Sequence, residues 1–202
     1  AGCAGTGGGK GAAGRGCRSL MATLYTLAYP LLSDADAAAI ESIRREHDPQ
    51  RGVVPAHFTL AFGCGAVPGG AYTEHVQTVS RTMPAVAFAC RYAMLNVESR
   101  TGLAYVYLVP DGGYSGLSRL HDALYRGPLA EHLNLDIPFV PHITLGVLRD
   151  KADAKRLCDE LNARGIAISG EVNALSVAAL EAGKIRDLNT FPLIGQTPSP
   201  SL

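Results

Sequence analysis

Two short stretches of the sequence carry the same chemical groups at the same spacing. The first is His57-Phe58-Thr59-Leu60 and the second is His142-Ile143-Thr144-Leu145. In a β-strand, side chains at positions i and i+2 point to the same face. The histidine and threonine of each motif are therefore expected to share one face, with the two apolar residues on the other.

Two imidazoles and two hydroxyls suit the cleavage of a phosphodiester. A neutral imidazole can accept a proton from the attacking water or hydroxyl, and a protonated one can donate a proton to the departing oxygen. The ordinary pKa of histidine, about 6.5, allows both roles. Threonine hydroxyls can bind the phosphate oxygens on which negative charge grows. The motifs predict His57 and His142 as an acid–base pair and Thr59 and Thr144 as phosphate ligands, with no metal and no cofactor.

The motifs fall at equivalent positions of an internal repeat, whose halves span about residues 21–97 and 103–180. Each half has the order strand, helix, strand, helix, strand. One motif alone would favour a buried structural histidine, whereas the duplication favours a shared site. The repeat predicts a pseudo-twofold α+β architecture, with sheets facing a cleft and the helices outside.

Hydrophobic periodicity and helix caps give the expected elements. Ser33 and Asp150 are candidate N-caps, Asp48-Pro49 ends the first helix, and Gly165 ends the last. The helices are expected at about residues 33–48, 72–82, 116–125 and 150–165, and the strands at about 21–29, 53–62, 85–97, 103–109, 137–148 and 167–180.

The composition is that of a globular protein with no global charge. The 202 residues are 47% hydrophobic and 18% charged, with 18 Lys plus Arg against 18 Asp plus Glu. This balance favours a small phosphorylated ligand over wrapping of a long nucleic acid. No segment is apolar enough to suggest a membrane partner. Five cysteines without a CxxC pair argue against a disulfide framework and indicate a cytoplasmic protein. No obligatory protein partner is implied, and we expect a monomer.

The ends of the chain differ in composition from its middle. Residues 1–20 contain eight glycines and a G-x-G-x-x-G match that no strand precedes, so a flexible leader is expected. Residues 21–194 are expected to form one bilobal domain, and residues 195–202, with two prolines, a disordered tail. Four further histidines are expected at helix surfaces or rims: His47, His75, His121 and His132.

A second group of residues gives weaker signals. Tyr105 and Tyr107 share one face of a strand and could stack on a base or bind phosphate, or could belong to an aromatic core. Arg149 and Arg91 could bind phosphate, or could be solvated arginines. Phe139, just before the second motif, could line a base pocket or the core.

The paired motifs, each complete with its apolar fourth residue, together with the repeat and the length, resemble the two-histidine (2H) phosphoesterase superfamily. This superfamily includes 2'-5' RNA ligase-like proteins and RNA 2',3'-cyclic phosphodiesterases. The resemblance covers about residues 21–193. It implies a bilobal fold, with two mainly antiparallel sheets facing a central groove, acid–base roles for His57 and His142, and phosphate binding by Thr59 and Thr144. It also implies hydrolysis of cyclic or 2'-5'-linked phosphodiesters of nucleotides or RNA ends, with RNA ligation as the reverse reaction.

Two other functions are compatible with the same residues. A non-catalytic protein could bind nucleotides or RNA ends in the same cleft, although binding alone does not require two proton-transfer groups. A metal hydrolase could use His57, His142 and a carboxylate, although no HExxH or clustered His/Asp spacing supports it.

Overall fold

The structure, a computed structural model, describes residues 22–195. The predicted leader and all but the first residue of the predicted tail therefore lie outside the described residues. The helices are α1 (Asp34–His47), α2 (Gly69–Ser80), α3 (Tyr114–Leu124) and α4 (Lys151–Ala163), with a 3-10 helix at Gly127–His132. The strands are β1 (Leu24–Ala28), β2 (Leu31–Leu32), β3 (Phe58–Cys64), β4 (Val86–Val97), β5 (Ala104–Gly112), β6 (Ile143–Leu148), β7 (Ile168–Val172), β8 (Ala174–Glu181) and β9 (Lys184–Pro192).

The helix ends follow from capping residues in the sequence. The Ser33 side chain accepts a hydrogen bond from the backbone N–H of Asp36 at the start of α1. The Asp150 carboxylate accepts from two backbone N–H groups at the start of α4. Gly165 follows α4 with a φ of 72°, a left-handed conformation that glycine adopts without strain. All four predicted helices are present.

The nine strands form one hydrogen-bonded series in the order β2-β7-β4-β5-β6-β3-β1-β8-β9. Every ladder between neighbouring strands is antiparallel. At the centre, β6 and β3 are joined through one residue pair, Ile143 with Phe58. The strands from β2 to β6 in this order form one lobe, and those from β3 to β9 form the other. The predicted α+β bilobal fold is confirmed.

The lobes do not coincide with the two halves of the sequence. Strand β4, which closes the first half, pairs with β5 of the second half. Strand β8, which closes the second half, pairs with β1 of the first. The first half therefore contributes β2 and β4 to the lobe that holds β5 and β6, and the second half contributes β8 to the lobe that holds β1 and β3. The single strand predicted at about residues 167–180 is divided into β7 and β8, which lie in different lobes, and β2, β9 and the 3-10 helix were not predicted.

Two strand starts differ from the sequence prediction, which began them at residues 53 and 137. Strand β3 begins at Phe58 and β6 at Ile143, so each motif histidine lies immediately before its strand. Prolines explain why both strands begin later in the sequence than predicted, because proline has no N–H to donate to a ladder. The segments before the histidines contain Pro55 in one case and Pro138 and Pro141 in the other.

One face of the central strands is packed into the core. Phe58, Leu60, Ile143 and Leu145 are fully buried, as the alternation of the motifs predicts. The cysteines in the described part of the chain, Cys64, Cys90 and Cys158, are free and buried. Within residues 22–195, no helix is long and apolar enough to cross a membrane.

Replacing Phe58 with alanine should lower the free energy of unfolding by about 3–5 kcal/mol, because it opens a cavity at the junction of the lobes. Phe58 also packs edge-on against Phe88, with ring centroids 5.1 Å apart. Phe62 of the same strand is 50% exposed, and Phe62→Ala is the matched control, with an expected change within about 0.5 kcal/mol. Urea denaturation of the two variants measures the difference. Equal losses would contradict a structural role for the junction.

Candidate active site

All four polar motif residues line one cavity. Its volume is about 560 Å³, and it opens where β3 and β6 meet. His57, Thr59, His142 and Thr144 are each partly exposed there, whereas the apolar motif residues point away into the core. The structure therefore brings the two predicted pairs to one small volume.

The pairing of Phe58 with Ile143 sets the arrangement of the four groups. In an antiparallel pair, moving one residue forward on one strand corresponds to one residue backward on the other. Continued by one residue on each side, this register would place His57 opposite Thr144 and Thr59 opposite His142. A ligand in this cavity is contacted by both halves of the repeat at once.

Backbone carbonyls fix the orientation and the tautomer of both imidazoles. His57 Nδ1 donates to the carbonyl oxygen of Pro55 at 2.8 Å, and His142 Nδ1 donates to that of Val140 at 2.6 Å. A carbonyl oxygen only accepts, so the proton of each neutral ring is on Nδ1. This leaves Nε2 of both rings free of that proton and able to accept one. The same contact, to the residue two positions earlier, occurs in both motifs.

The surroundings of the two rings favour their neutral form. Burial lowers the pKa of His57 from its ordinary value and is the largest influence on it. The pKa of His142 is lowered to about 4, mainly by burial and also by the neighbouring His57. The hydrogen bonds from Nδ1 to the backbone act in the opposite direction but are weaker influences. Both imidazoles are therefore mainly neutral at pH 7.

Different aromatic rings contact the two histidines. The ring of Tyr107 stacks on His142, with centroids 3.5 Å apart and planes 18° from parallel. The Tyr107 hydroxyl accepts a hydrogen bond from Asn96 Nδ2 at 3.2 Å. The ring of Tyr29 approaches His57 only edge-on, with centroids 6.4 Å apart. The aromatic contact to His142 is therefore closer than the one to His57.

A buried arginine supports the segment that leads to His57. Arg44 of α1 is only 2% exposed, and its Nη2 donates to the carbonyl oxygen of Val54 at 2.8 Å. Its Nε donates to Asp48 and its Nη1 to Glu41, each at 2.9 Å. These bonds compensate the burial of the guanidinium charge. They also hold the chain just before Pro55, whose carbonyl orients His57.

The weaker candidates divide into two groups. Tyr105, Tyr107 and Phe139 line the cavity. The two arginines do not: Arg91 is exposed on β4 and forms an ion pair with Asp111 at 2.6 Å, and Arg149 is exposed beyond the end of β6. Their exposed positions outside the cavity lining fit the alternative of solvated arginines.

Sequence analysis missed Arg44 and Asn96, and it placed His121 wrongly at a rim. His121 is 4% exposed, donates from Nδ1 to the carbonyl oxygen of Leu60, and stacks on Phe139 with centroids 3.8 Å apart. Its position four residues after Leu117 puts it on the apolar stripe of α3, which was the available signal. Arg44 was detectable from its spacing to the two carboxylates. Nothing in the sequence distinguishes Asn96.

Comparisons with known proteins identify a family and agree with the fold. A sequence profile described as the 2'-5' RNA ligase superfamily matches residues 32–184. The crystal structure of E. coli LigT in apo form is 23% identical over 86% of this chain and 98% of its own, with a TM-score of 0.56. LigT complexed with NADP+ is 23% identical over 87% and 99%, with a TM-score of 0.57. A crystal structure described as a phosphoesterase is 20% identical over 86% and 98%, with a TM-score of 0.50. No curated protein matches the chain.

Lowering the pH from about 6.5 to about 4 should destabilise the protein through His142. The folded-state pKa of His142, about 4, lies below its unfolded value of 6.5, so the unfolded chain binds more protons in this window. The contribution to stability is complete above pH 6.5 and is lost as the pH falls, by on the order of 1–3 kcal/mol. Urea unfolding between pH 4 and 7 should give a shallower dependence for His142→Gln than for the wild type. Identical slopes would show that burial of this ring is not linked to stability.

Proposed function

The chain belongs to the 2'-5' RNA ligase superfamily, and from this premise we propose that it is a metal-independent phosphodiesterase acting on cyclic (2',3'-type) or 2'-5'-linked phosphodiesters of nucleotides or RNA ends. The observation that carries the proposal is the convergence of two Nδ1-anchored histidines on one cavity. Two imidazoles presenting Nε2 to the same volume suit paired proton transfer.

In the proposed reaction, the Nε2 of one neutral imidazole accepts a proton from a water molecule as its oxygen attacks phosphorus. The bond from phosphorus to the departing ribose oxygen breaks, and the Nε2 proton of the other, protonated imidazole passes to that oxygen. A bound phosphate anion favours this imidazolium, although burial disfavours it in the empty cavity. Thr59 and Thr144 donate hydrogen bonds to the non-bridging oxygens as negative charge accumulates. Proton exchange with solvent restores the pair.

Nucleotide recognition is extended to this chain from its structural relatives. E. coli LigT has been crystallised with 3'-AMP, with ATP and with NADP+. The cavity of this chain offers an apolar wall, including Phe139 and Ile137, that suits a base. RNA ligation would use the same two imidazoles with a ribose hydroxyl in place of water as the attacking group. It is the reverse of cleavage of a 2'-5' linkage by the adjacent 3' hydroxyl, so equilibrium and substrate supply decide its direction.

A second candidate is a non-catalytic protein that binds nucleotides or RNA ends in the same cavity. The observation in its favour is the lowered pKa of both histidines, which leaves the empty cavity without an imidazolium. A panel of 2',3'-cyclic nucleotides, cyclic-ended oligonucleotides and 2'-5'-linked dinucleotides, assayed with chelator present, separates the two functions. Binding without product in every case would decide for the second.

His57→Ala and His142→Ala should each reduce turnover of the preferred phosphodiester by at least about 100-fold, the scale of a lost general acid or base. The double variant should be little worse than either single one, because both groups serve one proton-transfer sequence. His132→Ala, which removes an exposed imidazole outside the cavity, is the matched control. Turnover near the wild-type rate in either folded cavity variant would remove that histidine from the mechanism.

Thr59→Val and Thr144→Val should impair the reaction less than the histidine changes do. Losing a hydrogen bond to a charged oxygen costs about 1.5–3 kcal/mol, and we expect the loss to be shared between kcat and KM. Valine keeps the shape and the strand preference of threonine, so folding is little affected. Steady-state kinetics and a thermal melt of each variant provide the test. Full activity of both would show that other groups bind the phosphate.

The pH dependence of kcat/KM should be bell-shaped, with both limbs below pH 6.5. These limbs report the free protein, in which burial lowers the pKa of both His57 and His142. They belong to the coupled pair and not to one residue. The limbs of kcat should lie at higher pH, because the bound phosphate stabilises the imidazolium. Chelator should leave both profiles unchanged, and a monotonic rise with pH that chelator abolishes would contradict two-histidine catalysis.

A further inference from the structure

The cavity carries no surplus of positive charge. Among its lining residues that the structure describes, the only lysine or arginine side chains are Arg44 and Arg100. Arg44 is buried and bound to Asp48 and Glu41. Arg100 lies with its Nη2 3.6 Å from Glu98 Oε1. Each cation therefore has an acidic partner, and the neutral histidines add no charge before the ligand binds.

The carboxylate of Glu98 is fixed on the cavity wall. Glu98 follows the end of β4, and its backbone closes the turn to β5 through hydrogen bonds with Gly102 and Leu103. Its Oε2 accepts a hydrogen bond from Thr101 Oγ1 at 2.6 Å. Its side chain is 33% exposed, whereas that of Arg100 is 88% exposed. Arg100 is therefore largely solvated, while the carboxylate is held in place beside the ligand space.

The aromatic rings of β5 connect this carboxylate to the proposed reaction centre. Tyr107 stacks on His142 at 3.5 Å, and the Tyr105 ring lies 5.8 Å from that of Tyr107. Burial raises the pKa of Tyr105, and the charge of Glu98 beside it raises it further. A ligand that extends from His142 along these rings therefore approaches a negative charge.

Resting on the function proposed above, we propose that the cavity takes a phosphodiester with a single phosphate, of the size of a cyclic mononucleotide, and that Glu98 is a specificity-determining residue that disfavours further phosphates. His57, His142 and the two threonines bind the one reacting phosphate. A second phosphate would meet no excess of cations over carboxylates in the described cavity. It would be repelled where it nears Glu98, because the loose pairing with the largely solvated Arg100 neutralises this fixed carboxylate only in part. Discrimination by a repulsive charge is a general route to specificity.

The test compares 2',3'-cyclic AMP with an adenylate trinucleotide that ends in the same cyclic phosphate. For the full wild-type chain, kcat/KM for the trinucleotide should not exceed that for the mononucleotide by more than about 3-fold at 50 mM salt, and its dependence on salt should be weak. Glu98→Gln should raise kcat/KM for the trinucleotide by about 3- to 10-fold and leave the mononucleotide within about 2-fold, because a charge near the added phosphates is removed. The salt dependence for the trinucleotide should steepen.

Glu160→Gln is the matched control, since Glu160 also pairs with an exposed arginine, Arg164 at 3.4 Å, but lies on α4 and outside the cavity lining. Glu160→Gln should leave kcat/KM unchanged for both substrates. A wild-type preference for the trinucleotide of 10-fold or more, with a steep loss in salt, would overturn the inference. Equal effects of Glu98→Gln and Glu160→Gln would overturn it as well.

Binding measurements separate this inference from the proposed function. Titration calorimetry of the His142→Ala variant gives the affinities for both ligands without turnover, alone and combined with Glu98→Gln. If the wild type turns over neither ligand but binding favours the mononucleotide and Glu98→Gln removes that preference, the phosphodiesterase proposal fails and the single-phosphate inference stands. If binding favours the trinucleotide, the inference fails whatever the activity.

Discussion

The arrangement of this protein depends on one backbone pair, between Phe58 and Ile143. That pair alone joins β3 to β6, so it links the two lobes and sets the register of the four polar groups beside it. Both side chains of the pair are fully buried, and the hydrophobic free energy of the core therefore stabilises the geometry of the cavity on the other face. A slip of one residue would send the threonines into the core and the apolar residues to the ligand.

The prolines before each histidine complement this constraint. They keep the preceding segments out of the sheet, and the free carbonyl groups of Pro55 and Val140 then accept the Nδ1–H of His57 and His142. An imidazole in the middle of a strand would find its nearby carbonyls in ladder bonds. Ending the ladder at the histidine therefore both opens the cavity and determines the tautomer. The same arrangement buries both imidazole rings, and this burial lowers the pKa of each.

Sequence reasoning succeeded where the signal is local. The capped ends of α1 and α4 and the duplicated motif depend on neighbours along the chain, and the structure has all of them. The exchange of β4 and β8 between lobes was not predictable, because hydrophobic periodicity identifies a strand and not its partner. For the same reason the sequence left two alternatives open for Arg91 and Arg149, which lie close in sequence to cavity elements but do not line the cavity. Glu98 is the opposite case, since only the β4–β5 turn brings it to the cavity wall.

The two histidines, equivalent in the repeat, are not equivalent in their surroundings. Thr59 pairs with Leu27 on β1, while Thr144 pairs with Tyr107 on β5. The leucine is buried in a small apolar cluster, whereas the tyrosine lies against the ring of His142. Because Leu27 and Tyr107 occupy symmetry-related positions but differ in type, His142 has a stacked aromatic partner and His57 has only an edge contact. In the mechanism proposed above, one imidazole accepts a proton and the other donates one; this requires such a difference in surroundings, and the repeat alone would not supply it.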